Sequence, residues 1–264
     1  MNLINDGSRI CKLCHKNAVL CDSHIIPDSF CDTIVNNNNP KHQVIQIWPD
    51  TYRRKIKQNS FHEFMLCNDC EQKLSRYENY TISQLRNNLW QSATVVNHSV
   101  GHNTEIGKVN GLDYKLFKLC YLSIFWRMSV SEDMHIPDIG ERHRENLRQL
   151  IITDNPGTFD RYSLIFSRAK INDKEFVGCS GYWGSGRLGN AHRVHAMICR
   201  GFLVMVCLGA IPIPVSMQPY CFLEDGSFII GEIPLESMSA TIDTANKIRT
   251  IHERLKNRMR NPTV

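Results

Sequence analysis

Apolar positions fall along this chain in two rhythms. Between Asp113 and Trp126 they crowd nearly every side of a helical wheel, with Tyr114, Leu116, Phe117, Leu119, Cys120, Leu122, Ile124, Phe125 and Trp126 apolar. That pattern predicts a helix buried all round, with Asp113 as its cap. A polar helix follows over GERHRENLRQLII, from Gly140 to Ile152. The rhythm then shortens. RYSLIFS from Arg161, KEFVG from Lys174, RVHAMIC from Arg193, FLVMVCL from Phe202 and SFIIGEI from Ser227 are rich in β-branched and aromatic residues and predict strands. From Ser239 to Arg258, Ile242, Ala245, Ile248, Ile251 and Leu255 share one helical face, with Lys247, Arg249, Arg254, Lys256 and Arg258 elsewhere. This predicts an amphipathic, basic helix.

The segment from Gln91 to Leu112 breaks both rhythms with Ser, Asn, Gly and Thr, and is read as a connector with a short hairpin at its glycines. Residues 1–90 and 113–264 are accordingly expected to pack as separate domains, the second an α+β domain with a mainly antiparallel sheet. A hydrophobic fraction of 42% with 22% charged residues excludes disorder, collagen-like repeats and coiled coil. No apolar run is long enough to span a membrane, and no targeting pattern opens the chain, so the expected compartment is the cytoplasm, without membrane contact. The net charge of +5 is compatible with nucleic acid without requiring it.

Eleven cysteines change the picture. In a reducing compartment they point to metal and not to disulfides. Four of them form two C-x2-C knuckles, Cys11-Lys-Leu-Cys14 and Cys67-Asn-Asp-Cys70. One such turn brings two thiolates to a single ion, and two turns complete the closed S4 shell of structural Zn²⁺. The alternative, four ordinary buried thiols, suits Cys120, Cys179, Cys199, Cys207 and Cys221, which sit singly in apolar runs. Cys21 and Cys31 lie near the first knuckle at spacings that fit a ligand less well.

Between the knuckles the chain reads Leu20-Cys21-Asp22-Ser23-His24-Ile25-Ile26-Pro27, and the second knuckle reads Phe64-Met65-Leu66-Cys67-Asn68-Asp69-Cys70-Glu71, with Tyr77-Glu78 downstream. SHIIP followed by LC-x2-CE resembles the HNH endonucleases, a zinc-stapled ββα-metal (treble-clef) family, and within it a variant group of bacterial proteins that includes expected participants in phage defence. The resemblance covers residues 11 to about 90. It implies metal-dependent hydrolysis of DNA phosphodiester bonds, with His24 as the base that activates water. The residue before that histidine is usually Asp or His and ligates a divalent cation; here it is Ser23. The family's later ligand positions fall at His62 and Glu63 and at Glu71, so Glu71, with Glu63, is the expected carboxylate ligand for Mg²⁺ or Mn²⁺. A different class of function fits the same residues: a catalytically silent zinc module that binds nucleic acid or a protein partner.

Arg53, Arg54, Lys55 and Lys57, near Trp48 and Tyr52, are candidate DNA contacts, or a solvated strand face. Gly184-Ser-Gly186-Arg-Leu-Gly189 matches a dinucleotide fingerprint by letter, but no helix pattern follows, so it is read as a loop between strands. His192 and His195 do not share a strand face. The second domain is expected to sense, regulate or dock a protein partner.

Overall fold

In the computed structural model the described residues are 8–30, 44–47, 54–57, 61–86, 89, 94–95, 106–132, 138–171, 174–175, 181–188, 192–208 and 213–234. The described residues open with β1 (Ser8–Ile10) and β2 (Asn17–His24), joined by the first cysteine knuckle. A separate hairpin, β3 (Val44–Ile47) and β4 (Arg54–Lys57), precedes β5 (His62–Cys67), which returns antiparallel to β2 and closes a three-stranded sheet of order β1-β2-β5. The second knuckle turns β5 directly into α1 (Asn68–Arg86). Asp69 and Glu71 stand in its first turn, where carboxylates suit the helix dipole.

Part of the Ser/Asn/Gly-rich segment is regular structure. It supplies β6 (Thr94–Val95) and β7 (Ile106–Val109), which pair antiparallel. Next come α2 (Tyr114–Val130) and α3 (Glu141–Ile152). The cap on α2 is the expected one, since the Asp113 carboxylate accepts from Leu116 N at 2.8 Å. The remaining strands are β8 (Leu164–Ile171), β9 (Lys174–Glu175), β10 (Gly181–Leu188), β11 (His192–Cys199), β12 (Phe202–Leu208) and β13 (Phe228–Pro234). With β6 and β7 they form one sheet of order β10-β11-β12-β8-β13-β7-β6, β9 pairing with β8. Neighbours run antiparallel except β13 and β8, so the fold is α+β with a mixed sheet.

Local chemistry explains two tight turns. Arg200 and Gly201 both have positive φ, 48° and 81°, which gives the β11–β12 hairpin the twist-matched two-residue turn. Gly226 (φ +76°) passes so close to the Leu112 carbonyl that a Cβ would lie 1.9 Å from its oxygen. The glycine-rich stretch at 184–189 is a correction to the sequence reading: Gly181–Leu188 is the strand β10, paired with β11, and not a loop. The amphipathic helix expected over Ser239 to Arg258 lies outside the described residues.

The buried residues of the knuckle segment, of the three helices and of the large sheet belong to one cluster, running from Cys11 and Leu13 through Leu74, Phe117 and Trp126 to Phe166 and Ile230. Helix α2 lies at its centre, with Phe117 to Met128 all buried, as its all-round apolar pattern predicts. Polar ties accompany the packing. Arg148 donates to Leu13 O at 2.6 Å, and Lys73 donates to Ile152 O at 2.6 Å. Among the described residues no helix is long and apolar enough to cross a membrane.

Two cations are buried in α2. Arg127 donates to His24 O at 2.7 Å and to Glu78 Oε1 at 2.6 Å, and so fastens β2 and α1 to the same side chain. Arg127→Met leaves Glu78 as a partly buried charge without its partner, and about 3–5 kcal/mol of unfolding free energy is expected to be lost in a denaturant titration. Lys118 donates to Tyr114 Oη, Thr158 O and Arg161 O at 2.9, 2.7 and 2.9 Å. Burial pulls its pKa down to about 7, against the attraction of Glu224 and Asp160. Between that value and ~10.4 the unfolded chain keeps a proton that the folded chain has released, so this group makes stability rise with pH. Measured against Lys118→Met, wild type is expected to gain on the order of 1 kcal/mol per pH unit across that window.

Candidate functional site

Each cysteine pair is placed by a short local structure. In the first knuckle, Cys11 N donates to Lys16 O and His15 N to Cys11 O, both at 2.9 Å, with His15 in the left-handed region at φ 61°. In the second, Cys67 ends β5 and Cys70 sits in the first turn of α1. Two bonds dock one knuckle on the other: Lys12 N to Met65 O at 2.9 Å, and Cys67 N to Cys11 Sγ at 3.3 Å.

The four Sγ atoms of Cys11, Cys14, Cys67 and Cys70 consequently lie within 4.8 Å of one another, with Cys14 and Cys67 3.7 Å apart. A tetrahedral ion with metal–sulfur bonds of ~2.3 Å sets its sulfurs roughly 3.8 Å apart, so this group can hold a structural Zn²⁺. The crowding splits the thiols. Hydrogen bonding with Cys70 pulls Cys11 down to about 4, and the same contact pushes Cys70 far up. An all-sulfur, largely buried set without an open position suits a scaffold ion and not a reacting one.

At the other end of the same strands lies a histidine pair. The register sets Asp22 opposite Phe64, Ser23 opposite Glu63 and His24 opposite His62. Alternation then sends Asp22, His24, Phe64 and His62 outward, and Ser23 and Glu63 inward. Exposure agrees: Phe64 is 57% exposed and the His24 side chain 44%, whereas Ser23 is 1% exposed. A bulge beside Cys21 and Asp22, with Met65 as the extra residue, sets this phase. His62 Nδ1 donates to the Asp22 carboxylate at 2.6 Å, and His24 Nε2 stands 3.2 Å from Asp28 Oδ2. The two rings are 6.1 Å apart between centroids.

The other predicted site residues are placed elsewhere. Glu63 is on the inner face, where Lys12 Nζ, Ser131 Oγ and Glu132 N donate to it at 2.6, 2.8 and 3.0 Å. Burial alone raises its pKa, but the bonds from Lys12 and Ser131 outweigh burial and hold the carboxyl below its ordinary range. Glu71 starts α1, with Oε1 buried and without a hydrogen-bond partner among the described residues. It lies close enough to Cys21 to add to the burial that pushes that thiol up. Ser23 Oγ donates to Cys21 O at 3.3 Å. The strand pair therefore brings His24 together with His62 and Asp22, the turn after β2 adds Asp28, and Glu63 faces the other side. Of the basic run, Arg54, Lys55 and Lys57 lie on β4, and Arg53 is outside the described residues.

Sequence reasoning missed Asp22 and Asp28 as partners of the histidines, and Arg127 as the anchor of His24. Arg127 left one signal, a charge in an otherwise apolar helix that demands a buried partner. The chain was compared with protein-family models, with curated proteins and with solved structures, and matches none of them.

Proposed function

We propose that the chain is an HNH-like endonuclease that hydrolyses DNA phosphodiester bonds on the outer face of β2 and β5, above a scaffold stapled by Zn²⁺. One observation carries this reading: His24 and His62 face each other across two exposed strands, each with a carboxylate at one ring nitrogen. An antiparallel pair running through a cysteine knuckle into a helix is also the arrangement that the HNH resemblance implies.

The chemistry assigned to the face is general base catalysis. Asp28 beside Nε2 favours the proton there and leaves the Nδ1 lone pair of His24 to take a proton from water. The new P–O bond forms to that water oxygen as the ester P–O bond breaks, and the leaving oxygen takes a proton from solvent. Asp22 fixes His62 in the opposite tautomer, with Nε2 turned to accept. Arg54, Lys55 and Lys57 are assigned to the phosphate backbone, and the part beyond Leu112 to a protein partner.

The Mg²⁺ or Mn²⁺ that the family implies does not fit the residues described. The Ser23 hydroxyl is committed to Cys21 O and Glu63 to three donors; Glu71, whose buried Oε1 has no hydrogen-bond partner among the described residues, joins no group of three ligands there, and the four cysteines are the group that converges. No step is assigned to that ion. The same commitments favour a second reading, a silent zinc module that binds nucleic acid or protein. Incubating purified protein with plasmid and with single-stranded oligonucleotide, with Mg²⁺, Mn²⁺ or chelator, separates the two: cleavage supports the nuclease, and retention without cleavage supports the binding module.

A further inference from the structure

We infer that His24 and His62 form a second metal site, selective for a borderline transition ion such as Zn²⁺ over Mg²⁺ and distinct from the four-cysteine centre. Directly opposed residues on antiparallel strands have Cβ atoms ~4.5–5.5 Å apart, which suits two imidazoles reaching for one ion. Two rings on a tetrahedral ion, with metal–nitrogen bonds of ~2.0–2.1 Å, keep their centroids roughly 5–6 Å apart. The observed 6.1 Å is within a small χ rotation of that geometry.

The carboxylates add a second, independent observation. A metal-bound histidine characteristically donates its other ring N–H to a carboxylate or carbonyl, which fixes the tautomer and makes the ligating nitrogen more basic. His62 Nδ1 makes such a bond to Asp22 at 2.6 Å, and Asp28 Oδ2 stands 3.2 Å from His24 Nε2 as an ion-pair partner. The ligating atoms are therefore Nε2 of His62 and Nδ1 of His24. Because both are imidazole nitrogens, the site prefers Zn²⁺, Co²⁺ or Ni²⁺ to a hard oxygen-seeking cation. Two protein ligands leave the remaining positions to water or to an anionic oxygen, whereas the cysteine shell is complete.

This inference about binding stands without the nuclease reading; only its consequence rests on that reading. An ion on Nδ1 of His24 occupies the lone pair that would accept the water's proton, so Zn²⁺ in excess is expected to inhibit cleavage and a weak chelator to restore it.

The test is metal content, which needs no activity. Protein equilibrated with excess Zn²⁺ and passed through a desalting column is expected to carry about two ions per chain. His62→Gln and His24→Gln, with unchanged near-UV circular dichroism, are expected to carry one. Asp22→Asn is expected to weaken the second site by ~10–100-fold in a zinc titration, because it removes only the outer-shell partner. Mg²⁺ alone is expected not to compete. A wild-type protein that holds one Zn²⁺, or a second ion unaffected by His62→Gln, overturns the inference. Absence of cleavage in all variants would overturn the nuclease reading and leave the two-ion result standing.

Discussion

Replacing Cys67 by serine is expected to abolish tight zinc binding by the four-cysteine cluster and to unfold the segment around it. Cys67 ties three things together: its thiol lies 3.7 Å from Cys14, its backbone N–H donates to Cys11 Sγ, and α1 begins at the next residue. Ion binding to a shell that does not exist in the unfolded chain is folding free energy, worth ~10–16 kcal/mol in small zinc domains. Only part of that is at stake here, because Leu13, Met65, Leu74 and Tyr77 belong to the same core as α2. A loss of at least about 3 kcal/mol is expected, roughly 6–12 °C in Tm for a chain of this size. Elemental analysis is expected to fall by one zinc per chain, and chelation of wild type is expected to reproduce the shift. A Cys67→Ser protein that keeps its zinc and its Tm contradicts the metal centre.

His24→Ala is expected to lower DNA cleavage by ~10²–10⁴-fold, the cost of removing a general base, and to leave the cysteine-bound zinc in place. Two features separate this effect from a folding defect. The imidazole is half-exposed, and what Arg127 holds is the backbone carbonyl of His24, which alanine retains. Glu63→Gln is the informative contrast. It weakens the tie to Lys12 and Ser131 on the inner face, so it is expected to lower stability while sparing the chemistry.

Legibility followed the range of the interactions. Helix α2 could be read from its apolar crowding and its Asp113 cap, and the four-cysteine cluster from two local C-x2-C spacings, because each signal lies within a few turns of chain. The strands around Phe166, Val204 and Ile230 were legible for the same reason. His62 and Asp22 were not: their partnership depends on a register fixed by a bulge at Met65, and the two strands are separated by the β3–β4 insertion. The roles of Glu63 and Arg127 depend on residues more than 60 positions away in Ser131 and 100 in His24, which no local pattern encodes. Strand β10 was hidden by its glycines, since its place is held by backbone pairing with β11.

The most direct measurement is conversion of supercoiled plasmid by purified wild-type protein, run beside His24→Ala of equal zinc content and equal Tm. Nicked and then linear DNA is expected with wild type, and supercoiled DNA left essentially intact by His24→Ala over the same time. Equal cutting by the two proteins, or an untouched plasmid with wild type under every ion tried, contradicts this expectation.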